Sequence, residues 1–540
     1  MIGIHINSLG LSYKDQHENR RFRFGKFNFC ISFHPQYNKE VVFEDKTHLV
    51  IIDGWIFNAG NYSTQAQFVY QLYKKHGNKI ALYLNGQFNI CIIDKLKEDF
   101  IFINDIYAFR KHFYCQVPNA TFISSDFQFI NENIVKKSFN IEHLSNNIVA
   151  PRIINEYETF IKEISQIPSC TFFCANSGIN KYNLTEVELQ YPRISPANPA
   201  EYLENIKNEL VKVAENDKTL LHLSGGIDSR FLLELLIDCN ISLKTLTYGI
   251  ENSDEVLIAR MVAEKAGVEN SVVPLLSDDF ILNAEKYINQ TGGLDIFVQS
   301  AVYSIYTKKN DHNLIIDTGF ALDAFLGGTQ IDKKIIDAGI PLKTHFSIRV
   351  DNSNEFSSYN RIFSILALRQ SAHREFLEDR YSMYSYPVFF AMKNLPAELI
   401  KNYKFYYELL KLQVKKSYNI PILSTMFDLS LAPEKWKEAS KIQSSKEEFV
   451  LNYFKESRLP LYHNRYYSDF DMWLRSDKTW INAIQHYLLD DNCLIEKMFI
   501  PKEFILKTVD DHMTGTKNNL RNIIRWISTE IFLRQNTEAL

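Results

Sequence analysis

Apolar and polar residues alternate with different periods in the two parts of this 540-residue chain. In the first part, four short apolar runs predict strands, at residues 49–52, 55–57, 88–93 and 100–103. Asp53-Gly54 separates the first two runs, which predicts a β-hairpin there. Residues 65–76 have the apolar spacing of a helix. The pattern predicts an α+β domain of packed sheets over residues 1–190.

The second part alternates strands with helices after a proline-rich boundary at residues 191–199. Strands are predicted at residues 220–223, 243–248, 271–275 and 314–316. Helices are predicted between them, one of which ends before Gly267, and the chain beyond residue 355 is mostly helical in pattern. This order predicts a doubly wound parallel sheet with a helical extension over residues 200–540. The predicted fold class is therefore a two-domain combination of α+β and α/β.

Composition excludes several classes of protein. A content of 46% hydrophobic and 14% aromatic residues excludes a largely disordered chain. The 60 basic and 64 acidic residues nearly balance, so no net field favours nucleic acid. The seven cysteines form no CxxC pair and predict buried thiols in a reducing cytoplasm. No segment has the pattern of a signal peptide or of a membrane span, so no membrane contact is expected.

The string Ser224-Gly225-Gly226-Ile227-Asp228-Ser229 lies between a predicted buried strand and a predicted helix. Such a turn presents backbone N–H groups and the positive end of the helix dipole, which together bind phosphate. The glycines allow close approach, the serines add hydroxyl donors, and Asp228 offers a carboxylate to Mg²⁺. No Walker string is present. The alternative is a Ser/Gly-rich turn without a ligand.

The loop resembles the pyrophosphate-binding loop of ATP pyrophosphatases, and further motifs resemble the asparagine synthetase superfamily. Residues 53–58 (Asp-Gly-Trp-Ile-Phe-Asn) are similar to its Asn-Gly-Glu-Ile-Tyr-Asn hairpin, and residues 84–88 are similar to its Leu-x-Gly-x-Phe strand. Asp105, Arg110 and Tyr114 fit a third segment of the family. Residues 318–328 resemble Ser-Gly-Glu-Gly-x-Asp-Glu-x-Phe-Gly-Gly. The resemblance implies an N-terminal domain like an Ntn-hydrolase glutaminase, followed by an ATP pyrophosphatase domain.

The resemblance also implies site residues. The ATP phosphates would be held by Ser224, Gly225, Gly226, Asp228 and Ser229. Asp228 and Asp323 would hold Mg²⁺ and act in catalysis. Leu223, Tyr248, Gly249 and Gly319 would line the adenine and ribose, with Glu255 near the nucleotide. Two alternatives stay open, because Asp323 also suits a turn or N-cap position and Glu255 suits the first turn of a helix.

Three departures from the family change the expected reaction. Ile2 stands where glutamine-dependent members carry a catalytic cysteine, so no glutaminase activity is expected. Phe320 replaces the family's general base, and a phenyl ring cannot accept a proton. Ser424 aligns with the family's lysine, although Lys435, Lys437 and Lys441 follow it. The sequence therefore retains the residues that would bind ATP and Mg²⁺. It differs from the family at the positions that would act on the amine that accepts the acyl group.

These residues predict an ATP-dependent, AMP-forming ligase that adenylates a carboxylate and forms an amide or lactam without glutamine. The substrate would be the carboxylate of a small molecule or a peptide, with an amine as acceptor. The prediction also includes a partner protein from the same pathway. A peptide macrolactam cyclase, like the lasso-peptide cyclases and related to β-lactam synthetase, is one version. A non-catalytic ATP-binding protein is the alternative from another class.

Overall fold

The computed structural model describes residues 3–11, 18–33, 41–60, 62–118, 120–149, 157–174, 178–191, 194–196, 198–214, 218–309, 314–319, 322–326, 366–435 and 466–540.

Antiparallel strands dominate the N-terminal part. The strands are β1 Gly3–Asn7, β2 Glu18–Phe24, β3 Phe27–Phe33, β4 Val42–Glu44, β5 His48–Ile56, β6 Gly86–Asp94, β7 Asp99–Asn104, β8 Phe113–Val117, β9 Ala120–Ser124, β10 Ser165–Gln166, β11 Thr171–Cys174 and β12 Gly178–Lys181. The helices are α1 Gln65–His76, α2 Phe127–Asn133, α3 Ile141–Val149 and α4 Leu184–Glu188. One sheet has the order β10-β8-β9-β1-β3-β2 and the other β12-β11-β7-β6-β5-β4. Their apolar faces share one buried cluster, so the two sheets form packed layers.

The predicted hairpin at Asp53-Gly54 is wrong. Both residues lie inside β5, which stays paired with β6 from His48 opposite Asp94 to Ile56 opposite Gly86. Gly54 adopts φ 129, and a Cβ there would lie 2.8 Å from Nε of Arg110. The glycine therefore allows a side chain from a distant segment to approach the strand, and no turn is formed.

A four-stranded parallel sheet forms the centre of the second part. Its elements are α5 Pro199–Ala214, β13 Thr219–His222, α6 Ile227–Asp238, β14 Leu243–Gly249, α7 Asp254–Ala266, β15 Asn270–Pro274, α8 Ala284–Gln290, α9 Ala301–Lys308, β16 Ile315–Asp317 and α10 Leu322–Leu326. The strand order is β15-β14-β13-β16, and all pairs are parallel. The predicted parallel sheet is confirmed, as is the stop of α7 at Gly267, which has φ 75.

The remainder of the described chain is helical, as predicted. Its helices are α11 Leu366–His373, α12 Tyr386–Lys393, α13 Ala397–Ile400, α14 Lys404–Gln413, α15 Phe470–Ser476, α16 Lys478–Leu488, α17 Leu494–Met498, α18 Lys502–Met513 and α19 Leu520–Gln535. None of the helices in the described ranges is long and apolar enough to cross a membrane. Helices α6 and α7 bury one face of the parallel sheet, while α9, α11 and α19 belong to the buried cluster on the other face.

The N-terminal and C-terminal parts share buried clusters. Phe113 and Phe122 of the first antiparallel sheet lie in the same apolar cluster as α19 and Leu220 of β13. The division at residues 190–200 stays a prediction, and so does the Ntn-hydrolase-like arrangement of the first part.

Candidate functional site

The predicted phosphate loop joins β13 to α6. Gly226 occupies the N-cap of α6 in extended conformation (φ −78, ψ 176) and provides no side-chain hydrogen bond to the helix. By contrast, Thr64 caps α1, Ser253 caps α7 and Asp477 caps α16 through side-chain oxygens. The first-turn N–H groups of α6 therefore lack the side-chain acceptor that those helices have. Such a helix start is suited to an anionic ligand.

Two serine hydroxyls hold the loop in shape. The Oγ atoms of Ser224 and Ser229 lie 3.1 Å apart, and the backbone N–H of Ser224 donates to Oγ of Ser229 at 3.2 Å. The N–H of Gly226 donates to Oγ of Ser224, also at 3.1 Å. Both hydroxyls thus lie at the start of α6, where they can add donors to the backbone groups.

Gly319 brings a second loop against the first. It follows β16 by two residues, and a Cβ at this position would lie 2.9 Å from the backbone nitrogen of Ser229 and still closer to the carbonyl of Asp228. Only glycine permits this contact of two backbones. Helix α10 begins three residues later and carries Asp323, whose side chain lies outside the described residues.

The carboxylate of Asp228 has a partner that the sequence did not reveal. The hydroxyl of Tyr406, on α14, donates to its Oδ1 at 2.8 Å. The described residues contain no group of three or more His, Cys, Asp or Glu that could hold a metal ion. One carboxylate next to a helix start suits Mg²⁺ chemically. The predicted pairing of Asp228 with Asp323 stays a prediction.

Glu255 and Gly249 both contact the segment at Tyr467. The backbone N–H of Tyr467 donates to Oε2 of Glu255 at 2.9 Å, and burial raises the pKa of this carboxyl. A Cβ on Gly249 would meet the Cα of Tyr467 at 2.8 Å. Glu255 is also close to the phosphate loop, because a Cβ on Gly225 would lie 3.3 Å from the Cα of Glu255. Its carboxylate fixes a distant loop beside the predicted nucleotide site.

Leu223 and Tyr248 lie on opposite faces of the sheet. The side chain of Leu223 is 3% exposed and belongs to the cluster under α6 and α7. Tyr248 packs on the other face, where its ring lies 5.7 Å from that of His222. The structure therefore does not bring the two side chains together into one adenine pocket, whereas it does bring Gly319 and the loop together.

The segment at residues 415–427 closes the other side of the loop. Glu234 of α6 accepts the backbone N–H groups of Lys415, Lys416 and Ser417 at 2.7, 2.9 and 3.0 Å. Arg230 of α6 donates to the carbonyl of Ile420 at 2.7 Å, and the N–H of Leu423 donates to the carbonyl of Gly225 at 3.0 Å.

Several positions singled out on the acceptor side lie at the edge of the described chain or beyond it. Ser424, aligned with the family's lysine, is exposed directly after Leu423. Lys435 is exposed at the end of a described range. Phe320, Lys437 and Lys441 lie outside the described residues.

A buried ion cluster joins the N-terminal sheets to residues 374–379, which lie beside β16. Arg110 donates to Asp53 and to Glu378, at 2.7 Å each, and to Asp379 at 3.2 Å. Arg374 contacts the same oxygen of Asp53. Burial alone would raise the pKa of Asp53, but the guanidinium groups of Arg374 and Arg110 hold it well below its usual range.

The ion cluster reaches the second loop through a short parallel bridge. The N–H of Ile316, in β16, donates to the carbonyl of Glu378 at 2.8 Å, and the N–H of Arg380 donates to the carbonyl of Ile316 at 2.9 Å. The indole of Trp55 donates to the carbonyl of Asp379, also at 2.9 Å. Strand β5 is thereby connected to the strand that precedes Gly319.

A parallel sheet whose first strand feeds a Ser/Gly loop and an uncapped helix defines a class of nucleotide-binding α/β domain. Within this region, residues 213–307 match the sequence model of the asparagine synthase family. The resemblance to the asparagine synthetase superfamily, inferred from the motifs, is confirmed over this segment.

A curated protein is similar to this chain over a limited length. Asparagine synthetase [glutamine-hydrolyzing] from Gallus gallus is 31% identical over 146 residues, which cover 23% of this chain and 26% of that protein. The chain thus matches about a quarter of the length of this curated relative.

Solved structures resemble the chain only weakly. NMN synthetase from Francisella tularensis is 14% identical with a TM-score of 0.19, covering 40% of this chain and 96% of that one. Glutamine phosphoribosylpyrophosphate amidotransferase from B. subtilis is 10% identical with a TM-score of 0.21, covering 55% and 68%. Because these scores are far below 0.5, the fold described above stands on the structure of this chain alone.

Proposed function

We propose that this protein is an ATP-dependent, AMP-forming ligase that adenylates a carboxylate and joins it to an amine, as an amide or lactam, without using glutamine. The observation that carries the proposal is the uncapped start of α6, bordered by Ser224 and Ser229 and closed by Gly319. Those N–H and hydroxyl donors suit a polyphosphate. The family match over residues 213–307 identifies ATP as the polyphosphate to test first.

The residue types at the loop also suit Mg²⁺. Asp228 and Asp323 would hold the ion, which would supply positive charge against the departing pyrophosphate. The hydroxyl of Tyr406 donates to the carboxylate of Asp228 and orients it.

The buried ion cluster supports a reaction that does not consume glutamine. The family resemblance would assign Asp53, Trp55 and Arg110 to the glutaminase half of the molecule. In this structure all three contact residues 374–380 of the other half, and Asp53 and Arg110 are 4% and 2% exposed. Side chains committed to such contacts are not available to hold a free amino acid. We infer that the N-terminal domain serves as a scaffold.

The carboxylate belongs to a small molecule, such as a sugar acid, or to a peptide, and an amine accepts the acyl group. The macrolactam version differs from the others only in that the amine and carboxylate belong to one peptide. The described residues suit each of these substrates equally. One assay, with fractions that contain each kind of substrate, distinguishes them.

The test is ATP–pyrophosphate exchange with Mg²⁺, using fractions of small molecules and peptides from the source cells. Wild-type exchange that depends on one fraction is expected, and Asp228→Asn should abolish it. Asp238→Asn is the matched control, because Asp238 is the last residue of α6 and pairs with Lys207 far from the loop. Tight ATP binding without exchange in any fraction would instead indicate a non-catalytic nucleotide-binding protein. Release of glutamate from glutamine by the pure protein would refute the glutamine-independent part.

A further inference from the structure

Two histidines share one tyrosine hydroxyl on the face of the parallel sheet opposite α6. His222 is the last residue of β13, Tyr306 lies on α9, and His373 is the last residue of α11. The hydroxyl oxygen of Tyr306 lies 2.7 Å from Nε2 of His222 and 3.2 Å from Nδ1 of His373. A hydroxyl carries one proton, so it donates to one imidazole and accepts from the other. The three side chains therefore form a chain of two hydrogen bonds.

The chain of hydrogen bonds extends from the strand that precedes the phosphate loop to the buried ion cluster of Arg110. His222 precedes Ser224 of the loop by two residues, and the ring of Tyr248 packs edge-on against it at 5.7 Å. At the other end, His373 is followed by Arg374, which is buried against Asp53.

Access and packing distinguish the outer histidines from the central tyrosine. His222 and His373 are partly exposed, whereas Tyr306 is 4% exposed and stacks on Phe376. Among the described residues, Nδ1 of His222 and Nε2 of His373 have no hydrogen-bond partner. The group thus has a fixed centre and a free nitrogen at each end, as a group that accepts and passes on a proton requires.

Both imidazoles are neutral near pH 7. Burial, together with the neighbouring His373, lowers the pKa of His222 to about 3, and burial lowers the pKa of His373 to about 4. Within the described ranges, the other titratable groups that act on Tyr306 are Tyr248 from β14 and Asp379 from the segment beside β16. The phosphate of a bound acyl-adenylate would add negative charge and raise both imidazole pKa values toward the range useful for proton transfer.

We propose that His222 is the proton acceptor for the attacking amine, with Tyr306 and His373 as its positioning residues. This rests on the proposed function above. Phe320 leaves the second loop without a proton acceptor at the position where one is expected. In the step, the amine nitrogen forms a bond to the acyl carbon, and the bond from that carbon to the phosphate oxygen of AMP breaks. The amine proton moves to Nδ1 of His222, and AMP leaves with the electron pair of the broken bond.

The experiment separates adenylation from acyl transfer. Adenylation is followed by ATP–pyrophosphate exchange with the active cell-extract fraction, and complete turnover is followed by AMP release. His222→Gln is the main variant, since its amide nitrogen replaces Nε2 beside Tyr306 and cannot take up the proton. Tyr306→Phe keeps the ring packing and removes the shared hydroxyl. His143→Phe, a buried histidine of α3, is the matched control.

Hydroxylamine provides the distinguishing measurement, because it is a free base at neutral pH and needs no proton acceptor. We expect His222→Gln to lower AMP release about 100-fold, with exchange and hydroxamate formation within about twofold of wild type. We expect Tyr306→Phe to act in the same direction, and His143→Phe to change none of the three rates.

Two results would overturn the assignment and leave the ligase proposal standing. One is unchanged AMP release in His222→Gln, and the other is a fall in exchange or hydroxamate formation equal to the fall in AMP release. If wild-type protein shows no exchange with any fraction, the proposed function fails and the assignment fails with it. If either variant is unfolded by circular dichroism, His373→Asn, which preserves the contact at Nδ1, takes its place with the same expectations.

Discussion

Gly319 is the residue at which two loops of the candidate site meet. Replacing it with alanine would place a methyl group 2.9 Å from the backbone nitrogen of Ser229, where no flexible side chain can move aside. We expect Gly319→Ala to weaken ATP binding at least tenfold, and to lower the free energy of unfolding by about 2 kcal/mol because of overpacking. Isothermal titration with ATP and thermal unfolding check this.

Gly60→Ala is the control for Gly319. Gly60 has φ 58, and none of the described residues comes within 4 Å of a Cβ at this position, so alanine costs about 1 kcal/mol of conformational energy. ATP affinity should stay at the wild-type value. Equal ATP affinity in both variants would contradict the close approach of Gly319 to the phosphate loop.

His112 couples the stability of the N-terminal sheets to pH. It is 1% exposed, and burial lowers its pKa to about 4 from 6.5. The unfolded chain therefore binds a proton that the folded chain does not, at any pH between these two values. The contribution of His112 to the free energy of unfolding is fully present above pH 6.5. As the pH falls from 6.5 toward 4, this free energy decreases by up to about 3 kcal/mol.

The pH dependence of His112 can be measured directly. Thermal and urea unfolding of wild type should show a loss of stability from about pH 7 to about pH 5. His112→Gln removes the titrating group, so its loss over the same range should be smaller. A loss as large as that of wild type would show that other groups account for the acid sensitivity.

At the scale of elements, α6 both presents the phosphate loop and holds the loop that closes it. Glu234 accepts three backbone N–H groups and the hydroxyl of Ser417, while 3% exposed. Glutamine has one oxygen to serve these donors. We expect Glu234→Gln to destabilise the protein by about 2 kcal/mol, and to raise deuterium exchange over residues 415–423.

Glu264→Gln is the matched control for this element, because Glu264 is exposed on α7. It should change stability by less than about 0.5 kcal/mol. If deuterium exchange over residues 415–423 is the same in Glu234→Gln as in wild type, the carboxylate of Glu234 does not stabilise that segment.

The hairpin predicted at Asp53-Gly54 is wrong because of the way in which β5 pairs with β6. An Asp-Gly pair between two apolar runs is typical of a tight turn. In the structure the pair continues β5, because pairing with β6 extends from end to end and Arg110 occupies the space beside Gly54. The competing contact comes from a residue more than fifty positions away, which local pattern does not contain.

Across the molecule as a whole, Arg110 joins the two parts of the chain. Its guanidinium balances Asp53, Glu378 and Asp379 in a site where Arg110 itself is 2% exposed. Arg110→Met would leave carboxylates buried without their full set of partners. We expect a loss of about 3–5 kcal/mol in unfolding free energy, measured by urea denaturation.

Two further variants test the Arg110 cluster. Lys97→Met removes an exposed ion pair with Asp94 and should cost less than about 1 kcal/mol. Adding Glu378→Gln to Arg110→Met should recover part of the loss, because one uncompensated charge is removed. Strict additivity of the two substitutions would contradict a direct interaction between Arg110 and Glu378.

Local sequence was sufficient to place the parallel strands, the helices between them and the loop from Ser224 to Ser229. These features depend on short-range periodicity, on glycine at a few backbone positions and on helix ends, all of which are encoded within about fifteen residues. The same local signals placed α1 over residues 65–76 and ended α7 before Gly267.

Which side chains share a site depends instead on the tertiary structure. Tyr406 meets Asp228 across 178 positions of sequence, and Tyr306 meets His222 across 84. The packing of sheets and helices also separated Leu223 from Tyr248 and joined Asp53 to Arg374. Such pairings depend on how the buried faces of distant elements pack together. A single sequence shows which face of an element is apolar, but it does not show which other element packs against that face.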